Sequence, residues 1–557
     1  MSHLQSKIFK IIKKLKNFVH RHETLEKSLL FIWGIFWIFR AKFIFRKIKH
    51  NPVKRSFKAI ILGVRTIPTT NLVYFDAIFG HAFEKLGCQV RMLYCDGLLD
   101  SCDADTVFRS QRPQCFVCKK LGGLVKDALN LDCISYCQYI SESDIKEIKE
   151  KAKKLDEKDL LNYKYLGVDV GRHARASAIR HFLFGKLDLS NPAHIDFLRK
   201  KLVYAMISTK IAEGLVAKEK PDVIFMLHGI YSTWGTFLHY FRSKGIETII
   251  YTEMLLRIGY FIFNRNSEQH RLVSEKIWSD FRRLPLRKEE ETMVDDYFTK
   301  RFKGDMGDQK IYEKHFDNKI KKQVLLEFLS KKKYTRRYVI YPNLAWDGLV
   351  EGPKSKIFNN IFSWLDATIE FFKTNKDYQF IIKPPPTERV FERCSKDIAD
   401  YIIEKHGPLP ENIIVLKPDV PLRTHDLVDH NTIGIVFNGT CGLELAVTGI
   451  PVLVVADVHY REAGVVYNIK TLEEYLGLLE DPQKLISFAK NNIKLIKKYA
   501  YFYLFKTMIK IPFYKKDKFA EIDWKIVKNN EKLLGDNSNI IKICRRIINK
   551  EDVAEPL

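Results

Sequence analysis

The residues whose types and spacing could do chemistry gather in VFNGTCGLELAVTGIPVLVVAD (436–457). A buried strand ending at Asn438 is expected to run into a Gly-Thr turn and then a short helix. Backbone N–H groups from Asn438 through Gly439 and Thr440 to Gly442 would then stand free at a helix start, where the macrodipole favours an anion. Glu444, in the first turn of that helix, could accept hydrogen bonds from sugar hydroxyls. Its plainer role is to favour the helix dipole, with Gly449 only ending the helix. Neither the P-loop pattern nor the dinucleotide G-x-G-x-x-G is present, which argues against the ATPase and dehydrogenase classes. Transfer of a group onto a hydroxyl needs a base on the acceptor and positive or dipolar groups on the leaving phosphate. The base is expected from the N-terminal half, where His81, Asp169 and His173 lie beside glycines near a strand end or loop. A lone His or Asp in such a place is more often structural, so none of the three is singled out.

Cysteines form the second cluster. Ten in 557 residues do not make a disulfide scaffold, and without a secretion signal a reducing compartment is expected. Cys88, Cys95, Cys102, Cys115, Cys118, Cys133 and Cys137 nevertheless fall close together. Cys115 and Cys118 form a C-x2-C knuckle. With Cys95 and Cys102 they make the best quartet for a structural zinc or an iron–sulfur cluster. The spacing lacks the paired knuckle form, and buried unligated thiols are the alternative. No cofactor is expected for catalysis.

These residues need a scaffold, and the chain reads as alternating strands and helices. FKAIILGV (57–64), a helix through AIFGHAFEKLG (77–87) and QVRMLYCD (89–96) make one strand–helix–strand unit, as a parallel sheet requires. PDVIFMLHG (221–229), FLHYFRSKG (237–245) and ETIIYTE (247–253) repeat the pattern, so 56–285 reads as one α/β domain. Residues 286–335 are charge-rich and mostly helical, a plausible linker. A second α/β series runs over 336–480, with strands at RYVIYPN (337–343), YQFIIKP (378–384), ENIIVLKP (411–418), TIGIVFNG (432–439) and PVLVVAD (451–457). Residues 481–557 read as basic, aromatic C-terminal helices. The fold class expected is α/β, two units with a cleft between them.

The turn and short helix, followed by HYREAGVVYN (459–468), resemble the capsule polysaccharide biosynthesis family of bacterial glycosyltransferases. YPNLAWDG (341–348) resembles that family's Asn-x-x-Trp-Asp element, and IIKPPPTE (381–388) its strand ending in a basic residue, a His-Pro pair and a Glu. GRHARASAIRHFLFG (171–185) resembles an N-terminal segment of related surface-carbohydrate enzymes. The resemblance implies a GT-B arrangement, two Rossmann-like domains facing across a cleft, in a family that includes enzymes transferring Kdo from CMP-Kdo. It would put Asn343, Trp346 and Asp347 near the donor, and Lys383 and Glu388 at the basic and acidic ends of the His-Pro element. Thr440, Gly442 and Glu444 would bind phosphate and ribose, and Tyr460 and Arg461 would close on the donor. Where the family element has His, this chain has Pro385, within three consecutive prolines.

Charge adds a partner. The net charge is +26, from 93 Lys and Arg against 67 Asp and Glu. Residues 1–55 contribute +12 of it and 484–518 contribute +9. SLLFIWGIFWIF (28–39) is too short to span a bilayer. Between basic flanks it reads as an amphipathic anchor lying in an anionic membrane interface. Nucleic acid is the weaker alternative, because no zinc-finger, RRM or KH signature occurs. The expectation is an inverting, metal-independent glycosyltransferase, peripheral on the cytoplasmic face of the membrane. It would join a nucleotide-sugar donor to a lipid-linked glycan acceptor. A non-catalytic carbohydrate-assembly scaffold and a nucleic-acid-associated protein are the alternatives.

Overall fold

Apolar strands alternating with helices fold here into two separate parallel sheets. The computed structural model describes residues 23–48, 55–67, 71–99, 103, 114–266, 273–307, 313–348, 355–390, 396–515 and 521–553. The first domain opens with helix α1 (Glu23–Phe45), then β1 (Lys58–Val64), α2 (Asn71–Lys85), β2 (Gln89–Tyr94), α3 (Gln114–Leu129) and β3 (Cys133–Ser135). Next come α4 (Val170–Phe182), α5 (Pro192–Glu219), β4 (Val223–Leu227), α6 (Thr236–Ser243), β5 (Glu247–Glu253) and β6 (Tyr260–Arg265). Strands β3, β2, β1, β4 and β5 lie side by side in that order and are all parallel, with Ala59 opposite Val223 and Val90. Strand β6 adds antiparallel to β5.

Alternation along β1 sorts the core. Ala59 and Ile61 face a cluster built with α1, α2 and α3, whereas Ile60 and Leu62 face one built with α4, α5 and α6. A strand covered on both faces must be apolar throughout, which is why KAIILGV carries one polar residue, at its start.

The second domain contains α7 (Lys288–Phe302), β7 (Arg336–Tyr341), α8 (Ile361–Thr374), β8 (Tyr378–Ile382), β9 (Ile413–Val415), β10 (Thr432–Val436), α9 (Cys441–Val447), β11 (Val452–Val454) and α10 (Gln483–Tyr501). Its sheet order is β9-β8-β7-β10-β11, wholly parallel. Numbered within each domain, both parallel sheets run 3-2-1-4-5, the doubly wound Rossmann order, whose crevice lies where the order reverses. The protein is therefore α/β with two Rossmann-like domains.

Three expected boundaries move. Helix α1, expected within a separate basic arm over 1–55, buries Ile38, Ala41, Ile44 and Phe45 in the core of the first domain. Trp278, Val294, Tyr297 and Phe298 sit in one cluster with Val339, Val436 and Val454, so 273–302 belongs to the second domain rather than to a linker. Nor is 481–557 a separate helical segment. Beyond α10 the chain returns to the first domain, where β12 (Ile509–Lys510) pairs antiparallel with β6. Helix α11 (Asn539–Ile548) then buries Ile541, Cys544 and Ile547 in the cluster that holds α2. An unpaired strand edge is a liability, and this return covers it. Part of the basic C-terminal segment is matched internally: Lys497 pairs with Glu291 at 3.0 Å and Asp295 at 2.9 Å.

Candidate active site

At the crevice of the second domain, β7, β8 and β10 end in the loop 342–348, at Lys383 and at Asn438. Lys383 is buried, and among the described residues its ammonium has no hydrogen-bond or ion-pair partner. Burial lowers its pKa to about 8, against the pull of Asp426 and Cys441. Asn438 is buried as well, and its Oδ1 lacks a partner. Gly439 takes φ +106°, a conformation that only glycine adopts cheaply. The Tyr460 hydroxyl fixes that turn by donating to the Gly439 carbonyl at 2.6 Å. A Cβ on Gly442 would lie 2.4 Å from the same hydroxyl, so Gly442 permits the close packing.

The other expected donor ligands are placed differently. Glu444 faces a cation, not an open cleft: Arg301 of α7 donates from Nε to Oε2 at 2.8 Å and from Nη2 to Oε1 at 3.0 Å, and the Thr440 hydroxyl adds a third bond at 3.1 Å. Both partners are buried. Arg461 is also committed. It donates to the carbonyls of Val455 at 2.9 Å and Ile469 at 2.7 Å and to Asn468 at 3.0 Å, so it ties a loop together. Glu388 is buried and accepts from the Ile398 N–H at 3.3 Å, and burial raises its pKa to about 8.

In the first domain the crevice lies between β1 and β4, and sequence reading passed over it. Strand β4 runs into His228, Gly229 and Tyr231, at φ +25°, +68° and +67°. Non-glycine residues seldom hold such angles, and sites that do cluster at functional positions. The His228 Nδ1 accepts the Ile230 N–H at 3.0 Å, so a neutral ring carries its proton on Nε2 and offers a donor there. Burial and Arg65 lower its pKa to about 3. The Arg65 guanidinium stacks 4.7 Å from the Trp234 ring. Asp103, buried, accepts from Thr233 and from the Ser232 hydroxyl at 3.4 Å and pairs with Lys201 at 3.5 Å. Asp103 belongs to an Asp-Ala-Asp triplet (103–105) whose second carboxylate lies outside the described residues. A His-Gly pair closing an apolar strand is the one local signal that could have drawn attention to His228.

Two of the three base candidates, His81 and Asp169, lie apart from this crevice, and the third, His173, lies directly beneath its 231–235 turn. His81 is packed within α2, its Nε2 2.9 Å from the Leu129 carbonyl oxygen and its ring stacked on Phe45. Asp169 caps α4 by accepting the Arg172 N–H at 3.1 Å. His173 is buried under the 231–235 turn, T-shaped against His239, with Nε2 unpartnered and its pKa held well below the ordinary value by burial. The expected thiol quartet is not assembled among the described residues. Cys95 packs against one face of the first sheet and Cys118 against the other. Cys102 lies outside the described residues, and no three His, Cys, Asp or Glu side chains described come together to hold a metal.

The two crevices meet. Gly348 packs directly against Tyr231, where a Cβ would strike the ring at 2.4 Å. Trp346 is buried against Leu183 with the Arg180 guanidinium 4.8 Å from its ring. Asp347 lies half-buried in the same loop, close enough to Tyr231 to raise its pKa, and Asn343 is half-buried beside them. A cavity of about 640 Å³ elsewhere between the domains has Arg175 and Lys186 on one side and Lys356, Asn360 and Asp366 on the other, and is lined by none of Arg65, His228, Lys383 or Asn438. Such a cleft, lined by donors and cations, suits a phosphorylated, hydroxyl-rich ligand.

No family model and no curated protein sequence matches the chain. Among solved structures, UDP-GlcNAc 2-epimerase from Neisseria meningitidis, bound to UDP-GlcNAc, aligns at 13% identity over 80% of this chain and 99% of its own, with a TM-score of 0.22. The glycosyltransferase SnogD from Streptomyces nogalater aligns at 10% identity over 80% and 95%, with a TM-score of 0.22. At such scores the likeness carries no argument of its own, and the assignment of two Rossmann-like domains rests on the strand order of this chain.

Proposed function

We propose that the protein is a glycosyltransferase that moves a sugar from a nucleotide-activated donor to a surface polysaccharide or a lipid-linked glycan. The observation that carries this reading is the contact of two Rossmann crevices at Tyr231 and Gly348, one offering Arg65 and the His228 Nε2–H, the other Lys383, unpartnered among the described residues. In that reading Lys383 and Arg65 neutralise the leaving phosphate and His228 donates a hydrogen bond to an oxygen of donor or acceptor. The motif resemblance over 341–348, 381–388 and 436–468 supports it. So does the absence of P-loop and dinucleotide signatures. An inverting course and work at the inner membrane face are parts of the same proposal. A thermal-shift panel of CMP-, UDP- and GDP-sugars tests it, since a ligand stabilises only the state that binds it. One class should raise the melting temperature of the wild type and leave Lys383→Met unmoved. A flat response to every nucleotide sugar would reject the reading.

A second reading has its own support. Pro385 stands where the resembled family has His, and Glu444 is bound by Arg301. A scaffold that keeps the fold and binds glycan without transfer would show both features. It would bind donor, if at all, without turnover.

A further inference from the structure

Helix α1 lies on the first domain by one face only. Ile38, Ala41, Ile44 and Phe45 are buried in the cluster shared with α2, α3 and Trp524. The opposite face carries Ile32 62%, Trp33 57%, Phe36 57%, Phe39 69% and Phe43 61% exposed. Ile32, Phe36, Phe39 and Phe43 recur at spacings of four, three and four, which on a 3.6-residue helix makes one continuous stripe. Leu124 of the adjoining α3 is 51% exposed. Soluble surfaces seldom leave so many large apolar side chains together.

We propose that this stripe is a membrane-docking face, laid in the plane of an anionic bilayer interface with its aromatic rings among the headgroups. Charge supports a lipid occupant. Arg46 and Lys47 are exposed at the end of α1, and the Lys47 ammonium lies 3.9 Å from the centroid of the Phe43 ring. That places a cation beside an apolar ring, as side chains at a bilayer boundary do. The 22 residues before α1 lie outside the described residues. They carry Lys7, Lys10, Lys13, Lys14, Lys16 and Arg21 with no Asp or Glu, a polybasic segment suited to anionic headgroups. Among the described residues no helix is long and apolar enough to cross a membrane, so the contact proposed is peripheral. The inference stands on this surface alone and does not depend on glycosyl transfer.

The test is co-sedimentation of the full chain with vesicles of phosphatidylcholine alone and of equimolar phosphatidylcholine and phosphatidylglycerol. Wild type should bind the anionic vesicles, and the triple variant Trp33→Ser/Phe36→Ser/Phe39→Ser should bind about tenfold or more weakly with an unchanged melting temperature. The exposed row Ile320, Val324 and Phe328 on another helix supplies a control, whose replacement by Ser should leave binding intact. Equal binding by wild type and the α1 triple variant would overturn the proposal. So would a wild type that ignores vesicles but forms a dimer that the triple variant loses, since the stripe would then face a second copy.

Discussion

Arg301 and Glu444 are joined by two hydrogen bonds, at 2.8 and 3.0 Å, across 143 residues of sequence, with both side chains buried. The pair ties α7 to the turn that follows β10. Through the Thr440 hydroxyl bond to Glu444 it also fixes the start of α9. A carboxylate expected to read a ligand is thus a structural clamp beside the crevice.

That clamp can be measured. Removing one partner leaves an uncompensated buried charge, so Arg301→Met or Glu444→Ala should each cost about 3–5 kcal/mol in urea unfolding. The double variant Arg301→Met/Glu444→Met should recover most of the loss, because the lone buried charge is gone. Wild-type stability in both single variants would show that the pair contributes nothing in solution.

Lys383 makes the opposite prediction. Its folded pKa, about 8, lies below the ordinary value for lysine, so between about pH 8 and 10.5 the unfolded chain binds more protons and stability rises with pH. Below pH 8 the full penalty of the buried charge is present. Lys383→Met should therefore be more stable than wild type at pH 7, by about 3 kcal/mol or slightly more, and the gain should vanish by about pH 10.5. An equally large gain at both pH values would assign it to packing.

Glu388 runs the other way along the pH scale. A carboxyl whose folded pKa is about 8 makes the folded chain hold the extra proton between about pH 4.5 and 8, so stability falls as pH rises through that window. Glu388→Gln should match wild type at pH 4.5 and exceed it by about 4–5 kcal/mol at pH 8.5. Chemical denaturation at the two pH values decides.

His228 and His173 separate chemistry from packing. If His228 supplies a donor at the crevice, His228→Ala should lower transfer by about 10²-fold or more while the melting temperature changes little. His173→Ala opens a hole beneath the 231–235 turn and should act chiefly on stability. Reversal of those two outcomes would move the site into the α4 layer.

How much of this was legible depended on how local the signal was. FKAIILGV and TIGIVFNG read as strands because strands covered on both faces are continuous apolar runs. Strand β12 has two residues, and only its pairing with β6 makes it a strand at all. Glu444 looked like a ligand residue because the sequence near it contains no cation to claim it, the claimant being Arg301 in a segment that reads as a linker. The partners of Arg461 are hidden for a related reason. Its acceptors are mainly backbone carbonyls, which every residue has and no motif marks. At His228 the strained backbone is a product of the turn as a whole, and one-letter spacing does not express it.

The return of the chain through β12 and α11 also governs how the protein is made. The first domain is discontinuous: its last strand and one wall of its α2-side core leave the ribosome only after the whole second domain. Until then β6 keeps an open edge and α2 lacks its cover from Ile541 and Cys544. The first domain must therefore wait, incomplete, through the synthesis of everything between, and a stop ahead of β12 would injure it rather than the second domain translated after it.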